Sequence, residues 1–158
     1  MFKVGQGFDV HKFSTGRLCI IGGVTIDHPL GLQGNSDADV LLHAISDAIL
    51  GAAGLGDIGN HFPDNNLRFK DMSSRDILRI VVGLIRDKGY TVNNIDATVI
   101  CEEPKISPYA KKMIENIAED CLCELTQINI KATTTEGLGF TGRSEGIAAQ
   151  AICTIKAL

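Results

Sequence analysis

The sequence predicts a two-layer α/β fold, in which helices cover one face of a mixed β-sheet. Alternating apolar residues at the start, in the middle and near the end of the 158-residue chain indicate strands. Three intervening segments have apolar residues at helical spacing, and the elements follow the order β, hairpin, α, α, β, α, β, β. The second face of such a sheet would be apolar and uncovered in a single chain, so a symmetric oligomer is expected.

The composition excludes several classes of protein. Hydrophobic residues are 44% and charged residues 22% of the chain, values typical of a single globular domain, here residues 1–158. The net charge of −4 argues against a nucleic-acid partner, which usually requires a basic face. No apolar run reaches the roughly 20 residues that span a bilayer, and no leader pattern precedes the first strand, so no membrane partner is expected. The five cysteines form no C-x-x-C pair, which favours free buried thiols and a cytoplasmic location.

The chain begins with a strand pattern. Apolar residues occupy even positions, namely Phe2, Val4, Phe8 and Val10. This period is typical of a half-buried strand, and it places Asp9 and His11 together on the opposite face. A carboxylate and an imidazole placed in this way are either a hydrogen-bonded surface pair or two ligands of a metal ion.

A hairpin and a first helix follow. The stretch "IIGGVTI", residues 20–26, has two apolar runs around Gly-Gly and predicts the hairpin. In "SDADVLLHAISDAILGAAG", Ser36 and Asp39 resemble a capping box at the start of the helix. The expected apolar stripe consists of Leu41, Ile45, Ala48 and Ala52. Asp39, His43 and Asp47 recur every four residues and are expected on a different face.

The next elements are a loop and a second helix. Residues 54–72 are rich in Gly, Asn and Asp, which predicts a loop. Ser73 and Asp76 predict the start of a helix that ends at Gly89. Its inward residues are expected to be Ile77, Ile80, Val81, Leu84 and Ile85.

The last third of the chain predicts two more strands around a third helix, and a final strand. "NIDATVIC" alternates as a strand, and Ser107-Pro108 predicts a cap and a first turn for a helix that continues to about residue 124. "QINIKATTTE" alternates again, and residues 146–156 form an apolar final strand.

Asp9, His11 and His43 are candidate ligands of one metal ion. Two imidazoles and one carboxylate, with a fourth coordination position open, are a ligand set typical of catalytic zinc. Asp39 and Asp47, on either side of His43, are suited to orienting its imidazole. A surface histidine flanked by two aspartates is the alternative, and the pattern leaves both possibilities open.

The stretch "TTTE", residues 133–136, lies where a strand enters a glycine-rich loop. Consecutive hydroxyls can bind phosphate oxygens and a carboxylate can hold Mg²⁺ against them, whereas a threonine-rich edge strand is the alternative. Few basic residues lie near these motifs, the clearest being Lys105, Lys131 and Arg143. Two phosphate charges about 4 Å apart repel by roughly 4 kcal/mol at an effective dielectric of about 20, so a diphosphate here would need divalent cations.

Five motifs together resemble the 2-C-methyl-D-erythritol 2,4-cyclodiphosphate synthase family. They are "GFDVH", "SDADVLLHAISDAILGAAGLGDIG", "HFPD", "EEPKISPY" and "KATTTEGLGFTGRSEGIA". The resemblance covers nearly the whole chain in order and spacing. It implies an α/β protomer with ferredoxin-like packing, in a homotrimer whose sheets face the threefold axis and whose active sites lie between subunits.

The resemblance also implies a reaction and its metals. The family cyclises 4-diphosphocytidyl-2-C-methyl-D-erythritol 2-phosphate with release of CMP, in the non-mevalonate route to isoprenoids. Asp9, His11 and His43 match its zinc ligands, and Glu136 matches the residue that holds Mg²⁺ or Mn²⁺ on the substrate diphosphate. Thr134 matches a catalytic threonine.

The resemblance extends to the substrate-binding segments and to an axial cavity that can hold an isoprenoid diphosphate. Phe140 and Arg143 match residues of that cavity. All matching residues are Asp9, Val10, His11, Asn35, Ser36, Asp57, Ile58, Gly59, Phe62, Pro63, Asp64, Asn65, Asn66, Cys101, Glu102, Glu103, Pro104, Lys105, Ile106, Ser107, Thr133, Thr134, Thr135, Glu136, Phe140 and Arg143.

The chain departs from the family pattern at three positions, in two segments. It has "GNSDAD" where "GHSDGD" is usual, so Asn35 replaces a histidine assigned to catalysis and Ala38 replaces a glycine. Gly137 stands where a lysine is common. Asparagine can donate a hydrogen bond but cannot become cationic, and it also suits a simple turn. Two other functions fit the residues: a metal-dependent phosphohydrolase, and a non-catalytic trimeric zinc-binding protein.

Overall fold

A mixed sheet forms one layer of the structure, a computed structural model that describes residues 1–158. The strands are β1 (Phe2–Ser14), β2 (Cys19–Ile21), β3 (Val24–Ile26), β4 (Gly31–Leu32), β5 (Tyr90–Ile100), β6 (Ile128–Thr133) and β7 (Gly146–Ala157). The main sheet has the order β4-β1-β7-β5-β6, with β5 and β6 parallel and the other neighbours antiparallel. Strands β2 and β3 form the predicted hairpin, whose turn residues Gly22 and Gly23 both have positive φ.

Helices form the second layer. They are α1 (Val40–Ala53), α2 (Ile58–His61), α3 (Ser74–Asp87), α4 (Ala110–Cys121) and α5 (Gly139–Gly142), with 3₁₀ turns at Leu67–Phe69, Ser107–Tyr109 and Leu125–Gln127. Helix α1 packs on β1, β7 and β5, and α3 packs on both α1 and α4. The mixed sheet and its helical layer are thus confirmed. The ferredoxin-like packing is not shown, and the main elements follow the order β1-α1-α3-β5-α4-β6-β7, which differs from the β-α-β-β-α-β order of that fold.

Helix α1 approaches β1 closely because small residues face each other there. A Cβ atom on Gly7 would lie 1.9 Å from the carbonyl oxygen of Ala44, and one on Gly5 would lie 1.9 Å from that of Ala48. Only glycine leaves room for the helix at these two inward positions. The close approach brings the inward residues that follow on β1, Asp9 and His11, against the first turns of α1.

The outward face of β1 is the apolar one. Phe2, Val4 and Phe8 are 66%, 68% and 53% exposed, and Ile152 of β7 on the same sheet is 47% exposed. The predicted alternation is therefore confirmed, but the face that packs on the helices contains glycine, Asp9 and His11. An apolar and uncovered sheet face was expected of a single chain, and the structure has one.

Several predicted details of the elements are wrong. Helix α1 begins at Val40 with Asp39 as its N-cap, because Ser36 accepts instead from the amide of Ala38. Residues 54–72 contain α2 and a 3₁₀ turn as well as loop, and Ile80 on α3 is 42% exposed. Ser107 makes no side-chain cap, and the helix after it ends at Cys121 because Leu122 adopts a left-handed conformation.

All five cysteines are free, and four of them are buried, as predicted. Burial raises the pKa of Cys101 to about 11 and that of Cys153 to about 12, so these thiols stay protonated at neutral pH. No helix has the length and apolar character needed to cross a membrane.

Candidate active site

Asp9, His11 and His43, the Asp-His-His group, converge between β1 and α1. Asp9 Oδ2 lies 2.8 Å from His11 Nε2 and 3.1 Å from His43 Nδ1. The two ring nitrogens are 3.1 Å apart. The three ligand atoms all lie within 4.8 Å of one another, so one ion can contact all three. The sequence prediction that these residues share a site is confirmed.

The second nitrogen of each imidazole is held by a group outside the Asp-His-His group. His11 Nδ1 lies 2.7 Å from the carbonyl oxygen of Gln33, to which it donates. His43 Nε2 lies 2.9 Å from Ser74 Oγ and 3.2 Å from Ser36 Oγ. Each ring therefore turns its other nitrogen towards Asp9. Metal-binding histidines are commonly held in this way, by a hydrogen bond from the nitrogen that does not bind the metal.

The charges in this group perturb two pKa values. Burial alone would raise the pKa of Asp9, but hydrogen bonds from His11 and His43 outweigh it and lower that pKa to about 2. Burial opposes the charge on His11, whereas the hydrogen bond to Asp9 raises the pKa of His11 above its usual value. Asp9 is thus a carboxylate at neutral pH, and a proton and a metal ion compete for His11.

This set of donors fits a divalent metal. One carboxylate oxygen and two imidazole nitrogens are the ligands that catalytic zinc sites use, with the fourth position left to water or substrate. His43 is only 7% exposed, whereas Asp9 and His11 are partly exposed. An ion held here would be fixed from the α1 side and accessible from the other.

A cleft of about 260 Å³, the first cleft, opens beside the Asp-His-His group. The other predicted residues that line it are Asn35, Ser36, Ile58, Gly59, Phe62 and Asp64. Sequence reasoning missed Gly34, Phe69 and Ile77, which also line it. Phe69 packs edge-on against Phe62, with ring centroids 5.2 Å apart. This contact joins the end of α2 to the 3₁₀ turn Leu67–Phe69, two short segments that carry no periodic signal in the sequence.

Backbone contacts hold Asn35 at the first cleft. Its carbonyl oxygen accepts from the amide of Asp71 at 2.9 Å. The guanidinium of Arg17 donates to the carbonyl oxygens on both sides of it, those of Gly34 and Ser36. Ala38 follows in a left-handed conformation with a φ of 58°, a conformation that glycine adopts more readily than alanine.

The aspartates on either side of His43 do not orient it, which corrects the sequence prediction. Asp39 caps α1 and accepts from the amides of Gly22 and Gly23 at 2.9 and 2.7 Å, so it ties the hairpin turn to α1. Burial raises the pKa of Asp39 to about 6. Asp47 accepts from the amide of Ile58 at 2.7 Å and fixes the start of α2.

A second cleft, of about 270 Å³, lies where β5 and β6 end. It collects the predicted residues Cys101, Glu102, Pro104, Lys105, Ile106, Ser107, Thr133 and Thr134, together with Ala132. No residue lines both clefts. Val10 on β1 and Ile100 on β5 both pair with Ala148 of β7, so the two clefts lie at the same end of the sheet with β7 between them.

Glu102 organises the loop that carries Glu136. Its Oε1 accepts from the amides of Thr135 and Gly137, both at 3.2 Å. Glu136 itself is exposed, with a left-handed φ of 56°, and its amide donates to Thr134 Oγ1 at 3.3 Å. The Thr134 hydroxyl keeps its own proton free to donate, whereas the Thr135 hydroxyl lies 2.6 Å from the carbonyl of Leu138.

The remaining predicted residues are distributed elsewhere. Val10 and Phe140 line a third cleft of about 310 Å³, with Lys12 and Glu145. Arg143 is paired with Glu145 at 3.1 Å. Asp57 caps α2 and Asn66 caps a 3₁₀ turn. The predicted residues that line none of the clefts are Asp57, Pro63, Asn65, Asn66, Glu103, Thr135, Glu136 and Arg143.

Comparison with known proteins agrees with this geometry. The model of the YgbB family matches residues 2–156, nearly the whole chain. The chain belongs to the YgbB family. A Methylobacillus flagellatus relative named 2-C-methyl-D-erythritol 2,4-cyclodiphosphate synthase is 60% identical over 156 residues, 99% of this chain and 98% of that protein. A Bacillus licheniformis relative of the same name is 59% identical over 151 residues, 96% of each chain.

Solved structures show the same YgbB fold. The bifunctional IspDF of Campylobacter jejuni matches 100% of this chain with a TM-score of 0.96 and 42% identity, and this chain spans 43% of its length. A CDP complex of Plasmodium falciparum IspF matches 99% of this chain and 96% of its own, with a TM-score of 0.87 and 35% identity.

Proposed function

We propose that this YgbB-family chain cyclises 4-diphosphocytidyl-2-C-methyl-D-erythritol 2-phosphate to 2-C-methyl-D-erythritol 2,4-cyclodiphosphate and releases CMP. The convergence of Asp9, His11 and His43 beside a cleft is the observation that carries this function. The names of the relatives at 60% and 59% identity, and the CDP bound to the Plasmodium falciparum structure, support the substrate.

The reaction needs no nucleophile from the protein. An oxygen of the 2-phosphate forms a bond to the β-phosphorus, and the bond from that phosphorus to the oxygen it shares with the α-phosphorus breaks. CMP leaves with that oxygen. Since both reacting groups belong to one substrate, positioning and charge stabilisation provide the rate.

The chain supplies donors for both tasks. Zinc bound to the Asp-His-His group would act as a Lewis acid on a phosphate oxygen. Asn35 lines the same cleft and offers an amide donor to oxygens that gain charge in the transition state. Thr134 offers a hydroxyl, and Lys105 a cationic ammonium, in the second cleft. We assign the methylerythritol part of the substrate to the first cleft and its cytidine part to the second.

The active enzyme in this proposal is a homotrimer with its sheets facing the threefold axis. Two observations support it: the uncovered apolar face of the sheet, and the division of the substrate-binding residues between two clefts that share no residue. A second cleft contributed by a neighbouring subunit would complete each site. Glu136 in its exposed loop is then available to hold Mg²⁺ or Mn²⁺ on the diphosphate.

Two further assignments belong to this proposal. The third cleft, where Phe140 is 38% exposed, is assigned to the apolar chain of an isoprenoid diphosphate. Arg143, which pairs with Glu145 on the wall of this cleft, is assigned to the diphosphate. The free cysteines support a location in the reducing cytoplasm.

Product analysis tests the proposal. Purified protein with Zn²⁺ and Mg²⁺ is incubated with the substrate and followed by ³¹P NMR, and we expect one cyclic diphosphate for each CMP released. An acyclic phosphate product would show a hydrolase, and no turnover would indicate a non-catalytic zinc-binding protein. His43→Ala should abolish turnover. His28→Ala is the control, because His28 lies outside the group and stacks on Phe13.

A further inference from the structure

A chain of hydrogen bonds runs from the buried His43 through the buried Ser74 to the partly buried Asp37. Ser74 is the first residue of α3 and is 0% exposed, and its Oγ lies 2.9 Å from His43 Nε2. The same hydroxyl contacts Asp37 Oδ1, and the amide of Ser74 donates to Asp37 Oδ2 at 3.0 Å. His43 and Ser74 are 31 positions apart in sequence, so only the packing of α3 on α1 brings them together.

The chemistry of the three groups fixes the direction of these bonds. An ionised carboxylate can only accept, so Ser74 Oγ–H donates to Asp37. The hydroxyl has one proton, and once this is committed the oxygen can only accept from His43. His43 Nε2 must therefore carry a proton, which leaves the lone pair of Nδ1 directed at Asp9 and His11.

The side chain of Asp37 acts as an acceptor in each of its hydrogen bonds. Its two oxygens accept from the hydroxyl and the amide of Ser74 and from the amide of Asp39 at 3.2 Å. Each of these partners is a donor, so an amide in place of the carboxylate would set one N–H group against a donor. The remaining hydroxyl near His43, that of Ser36, lies farther away at 3.2 Å.

We infer that Ser74 and Asp37 are positioning residues for the metal site, because they hold the His43 ring in the one tautomer that presents Nδ1 to a metal ion. The inference rests on the proposed metal site and adds two residues that touch neither the metal nor the substrate. Groups that orient metal-binding histidines in this way typically contribute about 10–100-fold to metal affinity.

Zinc affinity, measured by competition with a chromogenic chelator, tests the inference. Ser74→Ala should raise the Kd for zinc about 10–100-fold. Asp37→Asn should raise it about tenfold in the parent chain and cause no further loss in the Ser74→Ala background, because Asp37 acts through the Ser74 hydroxyl. The visible spectrum of the Co²⁺-loaded protein should change in both single variants, since the ligand geometry changes.

Ser46→Ala is the matched control. Ser46 lies one turn along α1 from His43, is 0% exposed, and its hydroxyl has no hydrogen-bond partner. This variant removes a buried hydroxyl without touching the chain of bonds, so its zinc Kd and cobalt spectrum should match those of the parent. Thermal unfolding of each metal-free variant shows whether it is folded under the conditions of the titration.

The outcomes separate the inference from the proposed function. If the parent binds zinc and Ser74→Ala binds it within about threefold as well, the positioning role is wrong and the metal site stands. If the losses of Asp37→Asn and Ser74→Ala multiply in the double variant, Asp37 does not act through Ser74. If the parent itself fails to bind zinc, both the metal site and the inference are wrong.

Discussion

Asn35 places a neutral amide donor in the first cleft, where the family motif has a histidine. A preorganised donor beside developing charge typically contributes about 2.7–4 kcal/mol to the transition state. Asparagine keeps one donor, so only part of that contribution is lost. We predict that Asn35→His raises kcat by about one to two orders of magnitude and leaves KM unchanged, because the interaction strengthens only in the transition state.

Rates of CMP release in both proteins from about pH 6 to 9 check this prediction. If the imidazole acts as a cation, the gain should fade well above its usual pKa of about 6.5. An unchanged kcat at every pH would mean that the asparagine already suffices, or that the position is only a turn. A change confined to KM would assign Asn35 to ground-state binding.

Protons compete with zinc at His11. The pKa of His11 is raised by its hydrogen bond to Asp9, whereas that of Asp9 is lowered to about 2, so of these two groups it is His11 that titrates near neutral pH. As the pH falls below the raised pKa of His11, a proton occupies Nε2 and the apparent Kd for zinc should rise about tenfold per pH unit. Zinc titrations between about pH 5 and 8 measure this slope. An affinity independent of pH over that range would remove His11 from the ligand set.

At this residue scale the sequence predicts the metal ligands but not what supports them. Strand period places Asp9 beside His11, and the family motifs add His43. The sequence analysis assigns no role to Ser74, because a contact that spans 31 positions leaves no local pattern. The roles of Asp39 and Asp47 were predicted wrongly for the same reason, since their partners belong to distant turns.

At the scale of elements, the contact between β1 and α1 decides whether the site assembles. Gly7→Ala would place a methyl group 1.9 Å from the backbone oxygen of Ala44, which cannot rotate away. We predict that the variant is destabilised by about 3 kcal/mol or more. It should also bind zinc more weakly, because α1 must move away from β1 and take His43 with it. Denaturant unfolding and zinc titration measure the two effects.

Gly83→Ala is the matched control for this prediction. Gly83 lies within α3, and a Cβ atom there would have nothing within 4 Å. Alanine favours the helix over glycine by about 1 kcal/mol, so this variant should be more stable than the parent and bind zinc equally. Equal stability of the Gly7→Ala variant and the parent would show that the close approach of α1 is not a constraint.

The order of the elements could be predicted from the sequence, whereas their exact limits and buried faces could not. The strand and helix periods were sufficient for β1, the hairpin, α3, β5 and β7. The start of α1 was placed too early because Ser36 and Asp39 both suit an N-cap, and only the tertiary contacts of Asp39 with the hairpin turn decide between them. The apolar side of β1 lies on the sheet face opposite the helices. Alternation alone does not predict which of the two faces packs on the helices.

At the scale of the whole molecule, assembly and catalysis are coupled in the proposed trimer. Val4 is 68% exposed on the apolar sheet face, so Val4→Glu costs a single subunit little but would bury an unpaired charge in an interface. We predict that the variant folds, sediments as a monomer and loses at least about 100-fold in kcat/KM, because each site then lacks the second cleft of its neighbour.

Ile80→Glu introduces the same charge at a side chain 42% exposed on α3, outside the sheet face, and should remain trimeric and active. Sedimentation velocity and CMP release on the same samples decide the matter: a fully active monomer would show that one chain holds a complete site, and a trimeric Val4→Glu would show that the apolar face is not the interface.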